Sequence, residues 1–244
     1  MRVTGAAHGM GKEMALKLSE QGAIVVCWDI SQDGLNETVK EIEEGGGKAV
    51  GDVVDVSDRE QVLAAAQRVR DQVGDVTMLF NNAGIISCKP LLQHSHKELH
   101  RIFNVNVFSQ FYTLEAFLPQ MLEMKKGHVI AMSSAAGVQG AAFIVPYSSS
   151  KFAVTGLMDS LHEEVRYSHS NSNVKFTTVH PFIVSTGLVQ APRIRFNSLT
   201  PITSPKKAVE TIIDGVLRDR EVIFVPSYGE ILYRVAKWVI LNSS

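Results

Sequence analysis

A near-continuous apolar run keeps returning along this chain, and it limits the possible folds more than any other feature. Residues 23–29 read Ala-Ile-Val-Val-Cys-Trp-Asp, and comparable runs recur at 49–55, 76–80, 127–133, 174–180 and 221–225. A strand with one wet face alternates apolar and polar residues, whereas a run that is apolar throughout suits a strand covered on both faces. Stretches of helical length separate the runs. In residues 33–44, Leu35, Val39 and Ile42 fall at three- and four-residue steps among acids and Lys40, and Gly45, Gly46 and Gly47 end the pattern. This alternation, with no linker to divide it, predicts a single α/β domain over 1–244. Its parallel sheet is expected to be doubly wound by right-handed crossovers, giving three layers, α/β/α. Only Met1, Arg2 and Val3 precede the first glycine motif, where a strand usually runs to about five or six residues. Either the first strand is short, or the chain begins further upstream.

Composition removes several classes of function. With 45% hydrophobic residues, 20% charged and a net charge of -1, there is no basic excess to recruit a phosphate backbone, and nucleic acid is not expected as a partner. Cys27 and Cys88 lie far apart and form no CxxC. Neither a disulfide framework nor a metal site is expected, and reduced thiols in a cytosol-facing compartment fit best. The N-terminus has no secretory pattern, and no run reaches the roughly 18 apolar residues that span a bilayer. The least regular stretch, 187–204, carries Pro192, Pro201 and two arginines among apolar residues, and is expected to form a loop or short-helix lid.

Thr4-Gly5-Ala6-Ala7-His8-Gly9-Met10-Gly11 places three glycines where the first strand turns into a helix starting near Gly9. Glycine permits positive φ in such a turn and lets a pyrophosphate reach the backbone N–H groups of the helix N-terminus. Asp29 ends the next apolar run, where a carboxylate can accept from ribose hydroxyls and repel a 2′-phosphate. The expected cofactor is therefore NAD, with NADP less favoured. His8 is a weak cation in the same loop.

Tyr147 and Lys151 are four residues apart, on one face of a helix. A phenol ionises near pH 10, and a cation held beside it is expected to lower that value toward the range of a useful base. Ser134, at a strand end, can fix a substrate oxygen beside the Tyr147 hydroxyl.

Together, the glycine motif at 4–11, Asn81-Asn82-Ala83-Gly84, Asn106, Ser134 and Tyr147-x-x-x-Lys151 resemble the short-chain dehydrogenase/reductase family over essentially the whole chain. The resemblance implies a Rossmann-like fold and a role for each position. Tyr147 would be the acid/base, Lys151 would lower its pKa and grip the nicotinamide ribose, Ser134 would orient substrate, and Asn106 would hold a water of the proton relay. Gly5, His8, Gly9, Met10 and Gly11 would bind the phosphates and Asp29 the ribose. Asp55 and Val56 would lie near the adenine, Asn82, Ala83 and Gly84 along the adenosine side, and Pro181, Val184 and Thr186 by the nicotinamide. Ser133 would keep a backbone or packing role. Phe182 departs from the family's Pro-Gly, either as a core aromatic or as part of the pocket wall.

Residues 26–30, 74–77, 146–152 and 223–228 resemble one branch, that of epidermal-type retinol dehydrogenases and lipid-droplet 17-beta-hydroxysteroid dehydrogenases. Membership implies a lipophilic alcohol as substrate, and the apolar lid residues Leu188, Val189, Ile194, Phe196 and Leu199 agree with it. It also implies the endoplasmic reticulum membrane or a lipid droplet as location, although the branch's N-terminal anchor is not in this sequence. At the other end, Ile231, Leu232, Val235, Trp238, Val239 and Leu241 mark an apolar face. That face suits a helix docked on the domain slightly better than one lying on a membrane. Residues 99–124 and 148–167 resemble the two long helices that pair across a homodimer axis. Two rivals remain, an NADP-dependent carbonyl reductase and a non-catalytic dinucleotide-binding scaffold.

Overall fold

The computed structural model describes residues 1–187 and 202–231. Seven parallel strands form one sheet in the order β3-β2-β1-β4-β5-β6-β7. They are β1 (Arg2–Thr4), β2 (Ile24–Asp29), β3 (Lys48–Val53), β4 (Met78–Asn81), β5 (Lys126–Met132), β6 (Asn173–Pro181) and β7 (Val222–Val225). Each apolar run of the sequence contains or overlaps a strand. The two faces share the residues of β2 as the period of two requires: Val25 and Cys27 point into one core, Val26 and Trp28 into the other.

The first core lies under α1 (Gly9–Glu20), α2 (Gln32–Glu44) and α7 (Pro205–Leu217), and the second under α3 (Arg59–Gln72), α5 (Ser109–Glu123) and α6 (Val145–Ser168). Leu35 and Ile42 on α2 are buried as their spacing predicts, and so are Met14 and Leu18 on α1. A fully buried side chain of this size contributes roughly 1.5–3 kcal/mol. α4 (His96–Phe103) runs into α5 through a π-helical turn at Asn104–Phe108.

The first strand has only three residues, yet it pairs with both β2 and β4. Its side chains alternate like those of any inner strand, which turns Arg2 into the second core. The Arg2 guanidinium is fully buried, 3.5 Å over the Trp28 ring and 4.9 Å from the Phe117 ring centre, and among the described residues none of its three nitrogens has a hydrogen-bond partner. Burial holds its pKa well below the ordinary arginine value.

The order of strands reverses between β1 and β4, and at such a switch point the loops leaving the carboxyl ends diverge and open a crevice. The glycine loop after β1, the Asn82 segment after β4, Ser134 after β5 and residues 182–187 after β6 all leave the sheet at this end. Most of the expected lid, including Leu188, Val189, Ile194, Phe196 and Leu199, lies outside the described residues, as do the apolar C-terminal positions beyond Ile231. Among the described residues, no helix is long and apolar enough to cross a membrane.

Candidate active site

The glycine loop is built as its residue types require. Gly5 and Gly9 have φ of 68° and 58°, the left-handed region that side chains disfavour. Gly11 is needed for closeness, since a Cβ there would stand 1.8 Å from the Gly5 carbonyl oxygen. Side chains of Ser31, Asp58, Ser95 and Ser204 cap α2, α3, α4 and α7, but His8 makes no such bond at the start of α1. The first-turn N–H groups and the positive end of the helix dipole therefore face the crevice without a protein acceptor from that cap, which fits a pyrophosphate. His8 is exposed, Met10 packs its side chain against the core, and Thr186 reaches over the loop, its Cβ 3.2 Å from where a Gly9 Cβ would be.

Thr4 ties this loop to its neighbour. Its hydroxyl donates to the Phe80 carbonyl and accepts from the Asn82 and Ala83 N–H groups. The Asn82 amide donates to the carbonyls of Thr4, at 2.8 Å, and Gly5, so this side chain joins two loops. Asp29 accepts from Ala7 N–H at 3.0 Å and Ser31 N–H at 3.1 Å. Those bonds aim the carboxylate at the glycine loop and leave lone pairs for another donor. Asp55 closes the turn into α3 by accepting from Ser57, and Val56 buries its side chain in the second core.

A Cβ on Gly84 would lie 3.4 Å from Asn106 Oδ1 and 3.5 Å from Lys151 Nζ, which sets this glycine beside both side chains. Asn106 is fully buried in the π-helical turn, a feature often found at functional sites. Its Oδ1 accepts from Ile85 N–H, and its Nδ2 donates to the Ile85 carbonyl and to Ser150 Oγ at 3.0 Å. The side chain is thus committed to protein partners. Ser150 passes the constraint on by donating to the Tyr147 carbonyl at 2.7 Å. Ser150 has no spacing signal in a Ser-Ser-Ser run, and the sequence did not distinguish it.

Tyr147 and Lys151 sit on the first turns of α6, with Lys151 Nζ 5.6 Å from the Tyr147 ring centre. The buried ammonium donates to the Met132 carbonyl at 2.7 Å, and Ser133 Oγ donates to the Lys151 carbonyl. Gly137 leaves room for that junction, because a Cβ there would be 2.3 Å from Ser133 Oγ. Burial pulls Lys151 down to about 8. It also pushes the Tyr147 phenol up, opposed by the neighbouring Ser134 hydroxyl and reinforced by the nearby Cys88 thiol. The expected lowering of Tyr147 by Lys151 is therefore outweighed: desolvation is the larger effect, and the cation is spent first on a backbone carbonyl. Ser134 ends the extended segment after β5. Its hydroxyl accepts from Ala136 N–H and lies 3.4 Å from the Pro181 carbonyl.

After β6, Phe182 is neither in the deep core nor free: its ring lies on Gly229, where a Cβ would be 2.4 Å away. Val184 packs on the first core and bridges to Thr203. The arrangement joins an uncapped helix N-terminus, a ribose-height acid and a buried Ser-Tyr-Lys group across one crevice. Such a crevice can hold a dinucleotide and move a proton at an adjoining hydroxyl.

The short chain dehydrogenase family model matches residues 1–195. The chain is 35% identical to human 17-beta-hydroxysteroid dehydrogenase 13 over 237 residues, covering 97% of this chain and 78% of that protein. It is 36% identical to human epidermal retinol dehydrogenase 2 over 225 residues, 92% and 72% of the two chains. A Burkholderia phymatum short chain dehydrogenase/reductase solved in complex with NAD has the same fold, with a TM-score of 0.88, 24% identity and coverage of 99% and 94%. A sheet whose switch point carries this ordered set of residues, matched over its length by these relatives, makes the chain an NAD(P)-dependent oxidoreductase belonging to the short-chain dehydrogenase family, on the branch of steroid and retinol dehydrogenases.

Proposed function

We propose that this protein interconverts a lipophilic alcohol of the retinol or steroid kind and its carbonyl, using NAD. The observation that carries the chemistry is the Lys151 ammonium buried 5.6 Å from the Tyr147 ring centre, with the Ser134 hydroxyl close enough to act on the phenol. In this reading Ser134 fixes the alcohol oxygen and Tyr147 takes its proton. Lys151 is still mostly an ammonium at neutral pH and offsets the charge of a phenolate. The bound dinucleotide supplies the hydride acceptor. Asp29 supports NAD, because its carboxylate faces the glycine loop on two backbone N–H donors and would repel a 2′-phosphate. The named relatives support the substrate class: one is a 17-beta-hydroxysteroid dehydrogenase, another a retinol dehydrogenase.

A homodimer belongs to the same proposal, supported by exposed Phe108 and Phe111 on the α5 side and Phe152 on α6. So does a location on the cytosolic face of the endoplasmic reticulum or a lipid droplet, which follows from the branch resemblance. The test is NADH or NADPH formation by the purified protein with retinol, steroid alcohols and short aliphatic alcohols in detergent. NAD-linked turnover of retinol or a steroid is the expected result. Turnover confined to short alcohols would overturn the substrate class, and preference for NADP would overturn the cofactor.

A further inference from the structure

His180, the penultimate residue of β6, has no assigned part in the chemistry, yet its ring meets the residue that orients substrate. The side chain is 2% exposed and stacks on Phe224 of the neighbouring strand, with ring centres 4.9 Å apart at 25°. Its Nδ1 lies 3.1 Å from the Ser134 carbonyl oxygen. A carbonyl only accepts, so Nδ1 carries the proton and donates. The second lone pair of that carbonyl takes the Gly137 N–H at 2.8 Å. The next residue, Pro181, presents its own carbonyl 3.4 Å from Ser134 Oγ. The end of β6 therefore grips Ser134 at both its backbone and its hydroxyl.

We infer that His180 is a positioning residue, whose Nδ1–H bond to the Ser134 carbonyl holds the Ser134 hydroxyl in place beside Tyr147. The stack on Phe224 sets the plane of the ring. The N–H then fixes the peptide of Ser134 at the point where the chain leaves β5 for the turn at Ala135–Gly137. A displacement of about 1 Å at a reacting group can cost on the order of a hundredfold in rate. The inference rests on Tyr147 as the acid/base of the proposed reaction.

Three variants test it. His180→Phe keeps a stacking ring and removes the donor, His180→Leu is a second donor-less variant, and His180→Asn restores a donor at the Nδ1 position without the ring. One readout needs no turnover: the ultraviolet phenolate titration of Tyr147, taken as the difference from Tyr147→Phe. A Ser134 hydroxyl that turns its proton from the Pro181 carbonyl to the phenolate favours the ionised form, so the midpoint is expected to rise by about half a unit or more in the donor-less variants and to return in His180→Asn. Lys151 and Cys88, the other titratable groups beside the phenol, are the same in every variant. With retinol and NAD, kcat is expected to fall about tenfold or more in the donor-less variants with KM for NAD unchanged. A midpoint unmoved in a folded donor-less variant, or equal effects of Phe and Asn, would overturn the inference. A wild type with no alcohol turnover would overturn the proposed reaction, while the titration would still decide the part played by His180.

Discussion

Replacing Arg2 by Met removes a buried cation and fills most of its space with an apolar chain. Nε, Nη1 and Nη2 are all enclosed and unpaired, and an unsatisfied buried polar group costs roughly 1–3 kcal/mol, more when charged. The two aromatic contacts, 3.5 Å to Trp28 and 4.9 Å to Phe117, return about 2 kcal/mol when desolvated. Taking about 4 kcal/mol for the guanidinium as a whole leaves a net penalty of about 2 kcal/mol. Met is shorter than Arg but is unbranched and apolar, and its sulfur and methyl can turn toward the Trp28 and Phe117 rings, which recovers part of the aromatic contact. For a domain of this size, a gain of about 2 kcal/mol corresponds to a rise in Tm of about 4–8 °C. Thermal unfolding followed by far-ultraviolet circular dichroism at pH 7 measures it, and the Trp28 emission checks that the core is intact. An unchanged or lower Tm in Arg2→Met would refute the reasoning, because it would mean the guanidinium is stabilising where it lies.

Four further outcomes follow from the site and the core. Tyr147→Phe should lower turnover by at least about a hundredfold while isothermal titration shows NAD binding retained; near-normal turnover would remove Tyr147 from the chemistry. Asp29→Ala should cut the preference for NAD over NADP at least about tenfold, measured as the ratio of kcat/KM values, and an unchanged ratio would dismiss the ribose argument. Gly11→Ala drives a Cβ against the Gly5 carbonyl, so the affinity for NAD should fall about tenfold or more with the fold kept; wild-type affinity would contradict the close approach. His128 is buried with its pKa pulled from 6.5 to about 4. Between those values the unfolded chain holds the extra proton, so stability present above pH 6.5 is lost as pH falls to 4, at most about 3 kcal/mol. His128→Gln should flatten that acid limb in urea denaturation, and an unchanged limb would assign it to other groups.

The fold was legible because its signals are local and additive. A run such as 23–29 has no wet face, and the residues of β2 divide between two cores; the three-residue β1 holds by pairing on both sides. The positions expected to carry the chemistry were marked by their order and spacing, and the fold brings Ser134, Tyr147 and Lys151 to one crevice. The contacts that hold them were not so marked, because they join residues distant in sequence through groups that every residue carries: Lys151 to the Met132 carbonyl, Asn106 to the Ile85 backbone, His180 to the Ser134 carbonyl. Ser150 and Thr4 are small hydroxyls, common in any sequence, and only the folded chain distinguishes these two. The Tyr147 pKa was misjudged for a related reason. Charge can be read from residue type, but the depth of burial that opposes it is set by the fold.

The contact of Phe182 with Gly229 has an evolutionary meaning. Where the family pattern has a small residue after the proline, this chain carries a ring, and the position facing it lacks a side chain. Neither site is free to change alone: a methyl at 229 meets the ring, and a small residue at 182 leaves a void against a bare backbone. Their substitution energies should be non-additive, as expected for residues in direct contact. Sequences that drift at one position should therefore drift at the other, and a loop transplanted from a relative into this protein would need its partner residue to come with it.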